Sequence, residues 1–378
     1  MNNINNKIMK QCYDLLVDHD KCWIKRKRIV NTRMIFDYLS KSTILNTGVS
    51  TCVNVEHNCT HAAIIRARRK VSPTLFYDIN KYMHKHVFKN NHIYALDGSK
   101  IRLHKSFETY GYKSRTNNKP VPRPAKRPLA MLSALTGIQT DTIANYTITK
   151  SFNERKCVSE LISDLTNKDT VILDRGYYSK KLFYLFHKQN VHCIMRLKCD
   201  AFKGAKAFFN SKRTDLSTSL LVDHKFIPIR LVKYKISTSK YILATSHMDY
   251  SLNKLKNMYR LRWRVEVNFK RLKSYLNLNK IFSLSENLWK QEMHLRILLD
   301  SLFRISQKQK RKTFRKANKR KQTYNKLILL FLFKVLYRSN IYGAGYRTSC
   351  FAEYKKYRKK KYKNIATTVS NNVVFIQH

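Results

Sequence analysis

Two aspartates in this 378-residue chain each close a short apolar run and are followed within two residues by glycine: Tyr94-Ala-Leu-Asp97-Gly98-Ser99 and Val171-Ile-Leu-Asp174-Arg175-Gly176-Tyr177. Carboxylates that emerge where apolar strands end can hold hard divalent cations through oxygen. Aspartate beside glycine is also ordinary turn composition, so neither motif alone separates the two readings. A third acid, Glu266, lies in Tyr259-Arg-Leu-Arg262-Trp-Arg-Val-Glu266-Val-Asn-Phe-Lys-Arg-Leu-Lys273. On a helix turning about 100° per residue, Tyr259, Arg262, Glu266 and Lys273 fall within roughly 60° of arc. Met258, Leu261, Val265, Phe269, Leu272 and Leu276 form the adjoining apolar stripe, suited to packing on a sheet. One carboxylate is then held at the edge of the core among basic neighbours. The plainer alternative is an Arg262–Glu266 i,i+4 pair that stabilises the helix by roughly a few tenths of a kcal/mol.

Elements must position these groups. From His92 the chain becomes β-rich, with strands expected at Ile93–Asp97, Lys100–His104, Leu129–Leu135 and Ile143–Thr149. A helix from about Asn153 to Leu165, a strand at Thr170–Asp174, a helix near Ser179–Gln189 and a strand at Cys193–Lys198 follow. That order describes a three-layer α/β arrangement. Further strand-like runs at Lys225–Ile236 and Tyr241–Ser246 make residues 200–250 a β-rich insertion before a long helix opening near Ser251. Residues 1–90 read as helices with basic stretches at Lys25–Arg28 and Arg66–Lys70. Within them Thr60–Lys70 is a capped basic helix, offering either a DNA-contacting face or an ordinary solvated one. Residues 281–378 read as helical and basic, densest at Lys308–Lys321 and Tyr354–Lys363. The expected organisation is therefore helical 1–90, α/β 91–280 and basic helical 281–378.

The 76 Lys and Arg against 23 Asp and Glu give a net charge of +53, far beyond what solubility requires. A polyanion partner is implied, and nucleic acid suits basic residues scattered along most segments, because neutralising phosphates releases condensed counterions. Anionic membrane is the weaker reading, and an AT-rich coding bias would explain lysine better than it explains the scarcity of acids. The opening MNNINNKIMK lacks an apolar core, and the best apolar run, Leu327–Phe333, is far short of the roughly 20 residues that span a bilayer. An intracellular, DNA-associated protein is expected. The eight cysteines form no CxxC pair and are expected as free thiols. Cys52, His57, Cys59 and His61 have no usual zinc-finger spacing.

Taken jointly, these pieces resemble the insertion-sequence DDE transposases of the insertion-sequence-four family, with their Tyr-x2-Arg-x3-Glu-x6-Lys signature. All four signature positions match, at Tyr259, Arg262, Glu266 and Lys273. The first aspartate in "LDGS", the second in "LDRGYYS" and an "ERK" helix start at Glu154 also resemble family segments. The resemblance runs from about Ala62 to Lys273. It implies an RNase H-like catalytic domain with a β-rich insertion, flanked by helical regions. It also implies two Mg²⁺ or Mn²⁺ ions on Asp97, Asp174 and Glu266, with Asp97 bridging both. Such ions, about 3.5–4 Å apart, activate a water or 3′-hydroxyl and stabilise the leaving oxygen. Tyr259, Arg262 and Lys273 would hold DNA phosphates, Arg175 assisting. The implied reaction is cut-and-paste transposition through a hairpin, on double-stranded transposon ends and target DNA, by a homodimer whose interface is the C-terminal helices. One departure concerns tryptophan: relatives use one in the insertion to hold a flipped base, whereas Trp23, Trp263 and Trp289 all lie elsewhere. Phe226, Tyr234 or Tyr241 would have to stack instead. Two other readings remain open on the sequence: a catalytically inactive or repurposed DNA-binding derivative, and an RNase H-like nuclease that does not join strands.

Overall fold

The computed structural model describes residues 2–25, 29–45, 59–87, 91–114, 127–280 and 282–314. Leu327–Phe333, Tyr354–Lys363, Cys52, His57 and half of Lys308–Lys321 lie outside them. The first segments form α1 (Asn2–Trp23), α2 (Thr32–Leu45), α3 (His61–Arg68) and α4 (Leu75–Val87). The expected cap of α3 is present, Thr60 Oγ1 accepting from the Ala63 amide at 3.2 Å.

The α/β architecture is borne out. Strand β1 (Ile93–Arg102) pairs antiparallel with β2 (Leu129–Gly137), and β2 with β3 (Thr142–Thr149). On its other side β1 runs parallel to β4 (Thr170–Leu173), and β4 to β5 (His192–Leu197). The crossovers carry a 3₁₀ turn (Glu154–Cys157) leading into the short α5 (Val158–Leu161), and α6 (Lys180–Lys188). The core order 3-2-1-4-5 is that of an RNase H-like sheet. After α7 (Lys203–Asn210), strands β6 (Asp215–Val222), β7 (Lys225–Ile236) and β8 (Ser239–Thr245) continue that sheet, because β8 pairs antiparallel with β5. The insertion therefore extends the sheet to eight strands, in the order β3-β2-β1-β4-β5-β8-β7-β6. Helices α8 (Leu252–Arg260), α9 (Trp263–Tyr275) and α10 (Glu286–Phe314) follow.

Side chains alternate across the strands and give the sheet two apolar faces. Leu96, Val171, Leu173, Cys193 and Met195 meet α5 and α6 through Val158, Leu161, Leu182 and Phe183. Ala95, Ile101, Ile172 and Ile194 join the opposite cluster, with Val265, Phe269 and Leu272 of α9, Leu295 and Leu299 of α10, and Ile35, Phe36, Phe76 and Met83 of α2 and α4. The helices before residue 90 and α10 thus share one core with the sheet. Arg68, expected on a basic DNA-facing stretch, is fully buried there. Its guanidinium donates to the Leu288 carbonyl at 3.1 Å and to Glu292 Oε1 at 3.2 Å. A buried charge needs such partners, so Arg68 belongs to the core and only Arg66, Arg69 and Lys70 of that stretch are exposed.

Three further expectations change in detail. Ile93–Asp97 and Lys100–His104 are one strand, because β2 pairs along its whole length to Arg102. The helix expected over 153–165 is only the 3₁₀ turn and α5. The helix carrying Tyr259 to Lys273 is interrupted at Leu261–Arg262. There the amides of Leu261, Arg262, Arg264 and Val265 each bond to the carbonyl three residues back, the tighter 3₁₀ pattern.

Candidate active site

Strand register places the two aspartates. Leu96 pairs with Leu173 across the parallel β1–β4 ladder, so Asp97 and Asp174 are the next residues of two adjacent strands. Alternation turns both toward the face of Ala95 and Ile172, the face that α9 covers. Asp97 therefore emerges where β4 stops, not where β1 stops. Helix α9 lays Val265, Phe269 and Leu272 on that face, which brings Glu266 to the same edge.

The three acids meet around Arg262 and Tyr259. Arg262 donates from Nη1 to Asp97 Oδ2 at 3.4 Å and from Nη2 to Glu266 Oε1 at 2.5 Å. Tyr259 Oη donates to Asp174 Oδ1 at 3.2 Å. The Arg262–Glu266 i,i+4 pair exists, and it also reaches the first aspartate. Of the other expected site residues, Arg175 is exposed beside Asp174. Lys273 lies about two turns beyond Glu266, near Arg102 at the end of β1; burial, then the Arg102 charge, push its ammonium pKa down.

Burial pushes the Asp97 carboxyl up to about 6, against the opposing Gly98 amide and Arg262, while the charges of Glu154 and Asp174 push it further up. Burial, then Asp174, raises the Tyr259 phenol, which stays a donor. Burial works against the Arg262 charge, but the Glu266 hydrogen bond and the charges of Asp174, Tyr259 and Asp97 more than offset it and hold its pKa up. One guanidinium thus balances a surplus of acid.

That surplus is the test of a metal site. The donors are hard carboxylate oxygens, and Asp97 remains under-compensated by its protein partners, so the residues fit a hard divalent cation. In the conformation shown, Arg262 bridges two of the acids, and among the described residues no three His, Cys, Asp or Glu are gathered as a ready cation cage.

A pH effect follows. A carboxyl whose pKa rises from 3.8 to about 6 on folding opposes folding above that window and not below the lower value. Without added metal, Asp97→Asn should stabilise the protein at pH about 7.5 by on the order of 1–3 kcal/mol, the gain fading to nothing by pH about 4. Thermal melts at the two pH values check this; equal melting of both proteins at high pH contradicts it.

Two neighbours of the site, which the sequence reading used only for the family resemblance, contact the second aspartate's loop. Glu154 Oε2 accepts from Tyr177 Oη at 2.5 Å. Arg155 forks onto the Gly176 carbonyl at 2.9 and 2.7 Å. The "ERK" and "DRGYY" segments stand out in the sequence, but nothing there shows that they meet. Of the three aromatic candidates in the insertion, Tyr234 is buried against Tyr241, with ring centroids 5.6 Å apart. Phe226, at the β6–β7 hairpin, is 73% exposed.

The RNase H-like sheet thus carries two acids at adjoining strand positions and a third on the covering helix. The chain belongs to the transposase DDE domain family, whose pattern matches residues 90–299, more than half of its length. Among solved structures it is similar to a piggyBac transposase synaptic complex with hairpin DNA. The TM-score is 0.51 and the identity 11%, covering 91% of this chain and 84% of that one. At that identity the likeness establishes the fold. No match was found among curated proteins. The protein is a DNA transposase by family. Among the described residues no helix is long and apolar enough to cross a membrane, and Cys12, Cys22, Cys59, Cys157, Cys193 and Cys199 are free.

Proposed function

We propose that this chain is an insertion-element transposase of the insertion-sequence-four kind, which cleaves element ends and joins them to new DNA using divalent metal. The observation that carries the reading is the convergence of Asp97, Asp174 and Glu266 on Arg262 and Tyr259, residues from β1, the end of β4 and the α8–α9 junction. Asp97, Asp174 and Glu266 would hold two Mg²⁺ or Mn²⁺ ions. Those ions, when bound, supply an activated oxygen nucleophile and stabilisation of the leaving oxygen.

The chain's own residues do the rest. Arg262 keeps the acids together and, once their charge is otherwise balanced, forks onto a DNA phosphate. Tyr259 orients Asp174 through its hydroxyl, and Arg175 and Lys273 extend the cationic track along the backbone. A hairpin route rests on the family resemblance, and Phe226 is the exposed aromatic suited to stacking on an extruded base. A homodimer on paired ends, with the region after residue 280 as its interface, completes the proposal.

Residues 1–90 contribute DNA contacts through Arg66, Arg69 and Lys70. Their joint replacement by alanine should flatten the slope of log affinity against log salt by up to about 3, one per lost phosphate contact. Thermal stability should hold, because all three are exposed. An unchanged slope removes this face from the interface.

The proposal is tested by incubating the full chain with a DNA fragment carrying its own element's ends and Mg²⁺ or Mn²⁺. Metal-dependent nicks and joined products support it. Nicks without joining make the protein a nuclease, and binding without either makes it a repurposed DNA-binding derivative.

A further inference from the structure

The loop at Asn153–Arg155 grips both aspartate-bearing segments from behind the sheet. The Glu154 carboxyl sits against Gly98: a Cβ at that position would lie 2.4 Å from Glu154 Cδ and 2.6 Å from its Oε1, so a larger residue after Asp97 would displace the Glu154 side chain. The same carboxylate accepts the Tyr177 hydroxyl at 2.5 Å, and Tyr177 is buried three residues past Asp174. Arg155 adds its fork onto the Gly176 carbonyl. The Asn153 side chain accepts from the Arg155 amide at 3.2 Å and fixes the turn. By strand alternation Gly98 faces the Leu96 side, opposite to the side toward which Asp97 and Asp174 point. Glu154 therefore touches the backbone of one aspartate segment and the loop of the other without entering the space between the acids and Glu266.

We propose that Glu154, through Tyr177 and Gly98, is a positioning residue that fixes the spacing between Asp97 and Asp174, on which joint binding of a divalent cation depends. The inference rests on the metal reading above. The β1–β4 ladder ends at Leu96–Leu173, one residue before the two acids. Beyond that point β1 stays paired with β2, and the 174–177 turn is held against it by the Glu154 and Arg155 contacts.

The test is Mn²⁺ binding to the full chain, followed by the loss of free-ion paramagnetic resonance signal. Wild type is compared with Glu154→Ala, Glu154→Gln, Tyr177→Phe and Asp97→Asn, with DNA affinity and melting temperature recorded for each. Outer residues that orient ligands typically change metal affinity about 10–100-fold. Glu154→Ala and Tyr177→Phe should weaken Mn²⁺ binding by that order while DNA affinity stays the same. Glu154→Gln, which keeps the shape and an acceptor for Tyr177, should stay close to wild type. Wild-type affinity in both Glu154→Ala and Tyr177→Phe overturns the proposal, whatever their melting temperatures. A Gln variant as weak as the Ala variant also overturns it, making Glu154 a ligand. No binding by wild type, or equal binding by Asp97→Asn, overturns the metal reading itself and this inference with it.

Discussion

Asp97→Asn and Glu266→Gln should each slow DNA cleavage by on the order of 10³-fold or more, the scale seen when a group acting mainly in the transition state is removed. The substitutions keep side-chain volume and remove one charge. Asp97 accepts from the Gly98 amide at Oδ1, 2.8 Å, and from Arg262 at Oδ2, so the single carbonyl of asparagine keeps the Gly98 bond and gives up the weaker one to Arg262. Glu266 is bonded to Arg262 alone among the partners described, and its backbone is fixed by Val265 and Phe269. DNA affinity should hold or rise, because each change removes negative charge from a cationic face. Rates within about tenfold of wild type, measured as single-turnover strand nicking, would take these acids out of the chemistry. Together with the metal-free stabilisation expected for Asp97→Asn, the result would show an acid retained for function against its own effect on folding.

The second large effect is on stability. Arg271 of α9 forms a two-pronged pair with Asp300 of α10, Nε to Oδ1 at 2.9 Å and Nη2 to Oδ2 at 2.6 Å, with side chains 4% and 2% exposed. The same guanidinium donates to Asn268 Oδ1 at 2.6 Å and to the Asp141 carbonyl at 3.1 Å, tying α9 to the β2–β3 turn. Removing one partner of a buried pair strands the other charge, so Asp300→Leu should destabilise the fold by roughly 3–5 kcal/mol. Arg271→Met combined with Asp300→Leu should recover much of that, since a matched apolar pair carries no orphaned charge. Denaturant unfolding of the two variants decides it: a single variant within about 0.5 kcal/mol of wild type would show the pair to be dispensable. Because Glu266 shares α9 with Arg271, the single variant should also lose cleavage activity at temperatures where it remains folded.

Most of the catalytic sheet is legible in the sequence because its strands are short apolar runs bounded by turns, and β4, β5, β7 and β8 fall close to their expected places. Strand β6 is not legible: Asp215-Leu-Ser-Thr-Ser-Leu-Leu-Val is polar along an exposed sheet edge, so its pattern carries little apolar signal. The interruption at Leu261–Arg262 is invisible to a periodicity argument, which assumes one helix and places all four signature residues on one face. The tighter turn keeps Tyr259 and Arg262 on the aspartates. Arg68 illustrates a different limit. A basic run reads as a surface from composition, yet its neighbours 220 or more residues later, Leu288, Gln291 and Glu292, make a buried site for it. The Glu154–Tyr177 bond is likewise a contact across the sheet, set by register and loop path, to which local sequence is blind.

In the proposed function Asp97, Asp174 and Glu266 together hold divalent metal for DNA strand transfer. The most direct measurement of this is the anomalous scattering of Mn²⁺ in crystals of the full chain bound to an element end. Manganese peaks are expected within roughly 2–2.5 Å of carboxylate oxygens of Asp97 and Asp174, with Arg262 drawn off Asp97 toward a DNA phosphate. Crystals saturated with Mn²⁺ that show no peak there, and Arg262 still bridging Asp97 and Glu266 beside the bound DNA, would contradict it.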